Sequence, residues 1–356
     1  MTIPAFLTRF TAIALVAGAA LAQTTVSVPC DLDNTLYQSP TGALSNGKGA
    51  SVFVGLTATG QARRGVMRFA VAGAVPAGSR ILSATLSFDV LQSTSALPIP
   101  MDVHRVTRAW GEGTSIAGGT SGGGSGTAAT AGDATWLHSV FPGTFWTNAG
   151  GDFVASPSFS MPLPALGPGS SSLSAGANAD VQFWLDNPGQ NFGWLLKTDE
   201  LLSSTARRIG SRENTGQKPV LTVTYLAPGQ TATFGVGCPV GGGNFANAYV
   251  GAPVGGTTIQ IAQTNAPVTS IGANYFSLDI DVVGAPLPVA GCTVYLPLAQ
   301  PLIPGNVFVT SGAGTASSPF NVPAGFPGFL VNCQAAVITP NVLGFVVSNS
   351  ALMLLQ

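Results

Sequence analysis

Apolar and polar positions alternate along much of this chain. In residues 81–90, Ile81, Ser83, Thr85, Ser87 and Asp89 fall on one face, and Leu82, Ala84, Leu86, Phe88 and Val90 on the other. A period of two predicts a strand with one wet face. Residues 51–54, 65–69, 101–106 and 220–225 repeat the signal, and Ser45-Asn46-Gly47, Pro76-Ala77-Gly78 and Pro98-Ile99-Pro100 punctuate it with turns. One stretch breaks the rule. Val181, Trp184 and Leu185 recur at helical spacing before Asn187-Pro188, which predicts a short helix over 177–185 with Asn178 as its N-cap.

Beyond residue 230 the strand signals continue at 259–262, 275–283, 293–298, 307–310, 334–339 and 350–355, between turns rich in Pro and Gly. Ala227-Pro228-Gly229-Gln230 reads as a boundary, so the chain divides into residues 23–227 and 228–356. Residues 118–132 form a Gly/Ser/Thr run that has no apolar side chains to bury. Strands and aromatics continue on both sides of it, so it reads as an insertion within the first domain.

Composition sharpens this picture. Among 356 residues there are 46 Gly and 26 Pro, but charged residues make up only 8%, against roughly a quarter in an ordinary soluble protein. The 46% hydrophobic content allows packed cores. Thirteen Lys plus Arg against fourteen Asp plus Glu leave a net charge of −1 and no clustered positive field, which excludes a nucleic-acid partner. After the first two dozen residues, no stretch is long and apolar enough to span a bilayer.

The N-terminus reads as an address. One Arg, an apolar centre and Ala20-Leu21-Ala22 follow one another as in a secretory signal peptide, placing the mature start near Gln23. The protein is therefore expected outside the cell, released or associated with the cell surface. In that compartment Cys30, Cys238, Cys292 and Cys333 are free to oxidise, and four cysteines allow three full pairings. Cys238 and Cys292 both follow Gly in turn-like contexts of the second half and are the favoured pair. Cys333, beside apolar residues, reads as a core thiol.

The order of several segments carries a resemblance. Asp33-Asn34-Thr35-Leu36-Tyr37, Leu44-Ser45-Asn46-Gly47 and Arg63-Arg64-Gly65-Val66-Met67-Arg68-Phe69 come first. His104-Arg105-Val106-Thr107-Arg108-Ala109-Trp110-Gly111-Glu112-Gly113, Asp133-Ala134-Thr135-Trp136, Ser211-Arg212-Glu213-Asn214 and Pro219-Val220-Leu221-Thr222-Val223-Thr224-Tyr225 follow. Over residues 30–226 the chain resembles the DNRLRE-domain family, related to the family-96 carbohydrate-binding modules. That resemblance implies an all-β, jelly-roll-type β-sandwich in an extracellular module, some of whose relatives bind polysaccharide. Gly237-Cys238-Pro239, Gly291-Cys292-Thr293-Val294 and Asn332-Cys333-Gln334-Ala335 resemble a small C-terminal β domain of secreted planctomycete proteins, which implies a second, smaller β-sandwich and no activity.

Candidate chemistry is sparse. The two histidines, His104 and His138, accompany no G-x-S-x-G elbow, and His104 falls in an alternating strand. His138 follows Trp136-Leu137 and reads as a loop position open to a ligand or to solvent. Glu112, Asp133, Asp152, Asp199, Glu200 and Glu213 lie in no motif that sets a glycosidase pair. Near Arg63, Arg64, Arg68, Arg207 and Arg208 they read as members of an ion-pair network. Asp31, Asp33 and Asn34, with Asp152 on a second turn, offer hard oxygens suited to structural calcium, though the same residues form turns without a metal. No other cofactor is implied.

Aromatic rings near the Gly-rich run offer the remaining platform, since apolar sugar faces stack on exposed rings. Trp110, Trp136 and Trp146, with His138, are the candidate carbohydrate contacts, whereas Trp184 and Trp194 read as core. Trp is also a residue that interiors bury, so both readings of Trp136 and Trp146 stand. The sequence thus points to a secreted, non-catalytic protein that binds an extracellular polysaccharide or cell-surface glycan. A structural surface or matrix protein is the alternative, and a polysaccharide-degrading enzyme is a third reading. Exposure of Trp136 or Trp146 separates the first two.

Overall fold

The computed structural model describes residues 23–119, 122–216 and 218–356. The N-terminal segment read as a signal peptide lies outside the described residues. Setting aside the shortest bridges, the first half contains β1 (Thr24–Tyr37), β2 (Ser51–Leu56), β3 (Ala62–Phe69), β4 (Arg80–Ser93) and β5 (Ile99–Arg105). β6 (Phe159–Leu163), β7 (Gly167–Ser170), α1 (Ala175–Asp186), β8 (Trp194–Lys197), β9 (Arg207–Gly210) and β10 (Val220–Leu226) complete it. The second half contains β11 (Thr231–Phe234), β12 (Ala246–Val250), β13 (Thr258–Thr264), β14 (Ile271–Ser277), β15 (Ile303–Val309), β16 (Ala316–Asn321), β17 (Leu330–Ile338) and β18 (Phe345–Leu354). The protein is all-β, with α1 as its single α-helix among the described residues.

In the first half, β10, β4, β9 and β7 form one group of strands, and β3, β8, β5 and β6 another. Two strands turn the corners between them. β1 pairs with β10 along Thr24 to Pro29 and with β3 along Cys30 to Tyr37, with a bulge between Cys30 and Leu32. β2 pairs with β9 and then, at Gly55, with β3. Gly55 has a φ of +112°, and a Cβ there would meet the Thr205 carbonyl oxygen at 2.7 Å, so this corner requires glycine. Both groups feed one core. Leu86, Val90, Ile209 and Leu221 from the first meet Met67, Met101, Val103 and Trp194 from the second.

Over residues 81–90, strand β4 alternates as its sequence predicts, except at one point. Opposite β10, Thr224 pairs with Ser83 and Tyr225 with Ile81, so Leu82 is the extra residue of a bulge. Ile81 therefore turns into the core of the first half, and Leu82 turns away from it. Helix α1 takes up the backbone groups this frees. Gln182 Oε1 accepts from Ile81 N at 2.9 Å, and Asn178 Nδ2 donates to Leu82 O at 2.9 Å. Asn178 is thus a bulge partner, and the N-cap is Ser174, whose hydroxyl accepts from Ala177 N at 3.4 Å.

Among the described residues, strands up to Leu226 pair only with one another, and so do those from Thr231 onward. The second half has a five-stranded sheet, β11-β18-β17-β14-β15, and a three-stranded one, β12-β13-β16. Tyr249, Ile261, Phe276, Cys333 and Met353 fill the space between them. Leu82 and Leu226 pack against Ile280, Leu330, Leu352 and Leu354, and Arg80 pairs with Asp279, so the halves meet through an apolar joint with one ion pair. Cys238 and Cys292 form the expected disulfide, while Cys30 and Cys333 are buried thiols. No helix among the described residues is long and apolar enough to cross a membrane.

Candidate functional site

The three candidate indoles do not form an open platform. Trp110, Trp136 and Trp146 are 8%, 9% and 5% exposed and belong to a second core with Leu36, Val66 and Leu195. Trp110 Nε1 donates to Phe192 O at 2.8 Å, and Trp146 Nε1 to Thr135 O at 2.9 Å. The Arg64 guanidinium lies 4.8 Å from the Trp136 ring centre and is itself clamped by Glu200 at 2.7 and 2.8 Å. The satisfied N–H groups of Trp110 and Trp146, and the low exposure of all three, make these rings core anchors rather than an open sugar platform. This corrects the sequence expectation. The loops around the Gly-rich run carry too few aliphatic side chains, so the indoles supply their apolar mass.

His138 is corrected in the same way. It is buried in the short strand His138–Val140, with its ring centre 4.3 Å from Phe145 and 5.0 Å from Phe141. Its Nδ1 lies 2.9 Å from Thr135 Oγ1, and burial lowers its pKa. His104 is also buried, within β5, its Nδ1 2.9 Å from Val154 O.

The carboxylates expected to share a cation do not converge. Asp31 holds Arg68 at 2.5 Å. Asp152 accepts from Thr147 N at 2.8 Å and Asn148 N at 2.9 Å and faces Arg108 at 3.2 Å. Asp33 instead joins Glu112 and Glu213, whose ligand-type oxygens all lie within 4.8 Å of one another. Basic groups fill that cluster. Glu112 Oε1 accepts from Asp33 N at 3.0 Å and Arg212 Nε at 2.5 Å, and its Oε2 accepts from Arg212 Nη2 at 2.5 Å and from Lys48. Glu213 accepts from Arg212 and Lys48 as well. The network ties β1, the 44–50 loop, the 111–115 loop and the 211–214 turn together. It realises the ion-pair reading of Glu213, but with Arg212 and Lys48 rather than Arg207 and Arg208.

The cluster separates two carboxyls. Burial opposes the charge on Glu112, but hydrogen bonds from Arg212 and Lys48 outweigh it and hold its pKa below the usual range. Burial pushes Asp33 up to about 7, reinforced by the charges of Glu213 and Glu112 and opposed by the Arg212 N–H. Between about pH 4 and pH 7 the folded chain keeps a proton that the unfolded chain has released. Stability from this group is therefore highest below that window and falls as pH rises through it, by at most about 1.4 kcal/mol per pH unit. Asp33→Asn should remove this component and gain on the wild type as pH rises. Denaturant midpoints near pH 4 and near pH 7 check it, and an unchanged gap means that Asp33 is ionised throughout.

A cleft that sequence reasoning missed lies elsewhere. It encloses about 400 Å³ at the end of β9, between the β2–β3 turn and the 124–125 loop, and three arginines line it: Arg63, Arg207 and Arg208. Gln61, Gln92 and Thr94 add neutral polar groups, and no carboxylate lines it. Pairing brings these residues together, because Arg208 sits opposite both Phe53 and Gln92. Seven other basic residues are paired with carboxylates, but these three are in no ion pair among the described residues. Carbonyl oxygens hold Arg63 and Arg207 in place instead. Arg63 donates to Gly124 O at 3.1 Å, and Arg207 donates to Thr205 O at 3.0 Å and Leu97 O at 2.9 Å. The Nε atoms of Arg207 and Arg208 are buried without a partner. Burial lowers the pKa of Arg63 and Arg207, yet a guanidinium stays cationic. The legible signal was a pair of arginine doublets, Arg63-Arg64 and Arg207-Arg208, in so charge-poor a chain.

A second concavity, of about 490 Å³, lies on the outer face of the five-stranded sheet. Ile271, Val307, Ala336 and Ile338 form its floor, Leu296 and Leu298 one wall, and no charged side chain lines it.

No family model matches this chain, and no curated protein does. Among solved structures, a β-1,2-glucanase from Parabacteroides distasonis aligns over 95% of this chain and 38% of its own, at 9% identity and a TM-score of 0.19. The chain thus spans well under half of that enzyme, and a likeness this slight says nothing of fold or activity.

Proposed function

We propose that this protein is a non-catalytic, extracellular binding protein that holds an acidic polysaccharide in the arginine cleft. The observation that carries the reading is one concavity lined by Arg63, Arg207 and Arg208 with no carboxylate beside them, in which the two buried arginines add positive charge behind Arg208, the one that opens to it. Unneutralised charge in a partly desolvated cleft is costly unless an anion completes it. Planar guanidiniums match uronate carboxylates and sulfate esters two bonds at a time. Gln61, Gln92 and Thr94 suit the hydroxyls of the same chain. The resemblance of residues 30–226 to carbohydrate-binding modules points the same way, as do the N-terminal address and the disulfide for an exterior location. The acidic cluster supports a non-catalytic role, because both Glu112 oxygens are engaged by Arg212 and Lys48.

Titration calorimetry of the mature chain against polygalacturonate and a neutral glucan tests this. Binding to the acidic polymer, weakened by salt and reduced about 10- to 100-fold in Arg208→Ala, is the expected result. Equal affinity for the neutral glucan, or none for either polymer, removes it. A structural surface protein is then the better reading, and the burial of Trp110, Trp136 and Trp146 together with the open apolar groove favours it.

A further inference from the structure

Strand β15 ends the five-stranded sheet, with β14 on its inner side. Its two faces differ. Phe308 points into the interior, where Gly272 makes room for it: a Cβ on Gly272 would meet the Phe308 ring at 2.7 Å. Val307 and Val309 therefore point to the groove side, and they are 71% and 66% exposed. Thr310 N donates to Ser270 O at 2.9 Å, which sets the alternation of the ladder. Phe308 and Thr310 turn their backbone groups toward β14, and Val307 and Val309 turn theirs outward.

Open, apolar edges invite strand addition, and proteins usually blunt them with charge, proline or cover. The other edges of this half are blunted. β11 is largely covered, β12 packs along β18, and β16 carries Pro319 near its centre. In β15 the proline and glycine stand at Pro304 and Gly305, and Asn306 Nδ2 donates to Pro319 O of β16 at 2.9 Å, which leaves Val307 to Val309 as the open stretch. Charge is absent as well: from residue 282 to the C-terminus there is no Asp, Glu, Lys or Arg. A partner with charged groups would have to desolvate them against this face without compensation. A second copy brings the same charge-free face and the same unpaired edge.

We infer that β15 is the seam of a two-fold homodimer, in which the outward backbone groups of Val307 and Val309 pair with those of Val309 and Val307 in a second copy. The two five-stranded sheets become one ten-stranded sheet with Phe308 on the two-fold axis. The apolar grooves meet across the seam, so Val307, Val309 and Ile271 leave water together. The contact is isologous and closes on itself, so it ends at the dimer.

Sedimentation velocity on the full mature chain at high micromolar concentration tests the seam. The expected result is a species of twice the monomer mass. Val307→Lys combined with Val309→Lys should weaken association about a hundredfold by placing like charges in contact. Both side chains are exposed in the single chain, so its thermal unfolding should stay unchanged. A second variant, Val309→Pro, removes one outward N–H without adding charge and should also yield monomer. A monomeric wild type, or a dimer that survives both variants, overturns the inference.

Discussion

Replacing Trp194 by alanine is expected to cost about 3–5 kcal/mol and to leave the first half barely folded at ambient temperature. Trp194 is fully buried on β8, with ring centres of Trp184, Phe159 and Phe69 at 4.8, 5.3 and 6.1 Å. These rings come from α1, β6 and β3, so the cavity would open where three elements converge. Its indole N–H also donates to Asp180 Oδ2 at 2.7 Å, and Asp180 is already held against burial by Ser158 and Arg105. Trp194→Phe keeps most of the ring volume and loses only that bond, so it should cost about 1–3 kcal/mol. Urea unfolding followed by circular dichroism measures both. A loss below about 1 kcal/mol for the alanine variant would show that the cavity collapses and that the cluster is not the keystone of this core.

The second large effect is expected at Glu112. Glu112→Ala leaves Lys48 and Arg212 facing Glu213 alone and strips the Asp33 N–H of its acceptor. Glu112 is 6% exposed, so removing it should cost about 3–5 kcal/mol, the range for breaking a buried pair from one side. Arg108→Ala is the contrast. Arg108 is 42% exposed over Asp152, and solvent screening keeps that pair below about 1 kcal/mol. Comparable losses at the two sites would mean that the Glu112 network is as wet as the surface pair. The network spans residues 33 to 213, so its members should be lost together when the first half unfolds.

Much of the fold was legible because it rests on local pattern. The wet face of β4, the helix around Val181, Trp184 and Leu185, and the core position of Trp184 follow from periodicity, and that of Trp194 from its place before Leu195-Leu196. The Cys238–Cys292 pairing was favoured by sequence position and turn context, and it formed. The site was less legible. Trp110, Trp136 and Trp146 look alike as letters whether they face sugar or Leu195, because a ring's exposure depends on what long-range pairing brings over it. His138 read as a loop residue, since nothing local announces that Phe141 and Phe145 close on it.

By itself the sequence determined an all-β chain with almost no charge, and it raised the expectation of a boundary near residue 228 and of an export-type leader. Those properties follow from residue type and from spacing over a few positions. Tertiary structure alone decided which guanidiniums remain unpaired. Arg212 meets Glu112 a hundred residues away, whereas Arg207 meets carbonyl oxygens and Arg208 shares its cleft with glutamine and threonine. It also decided that one bulged residue, Leu82, leaves its own core to join the two halves. Alternation is a local rule, but register, bulges and charge pairing depend on which distant strand lies alongside, and no short window of sequence contains that strand.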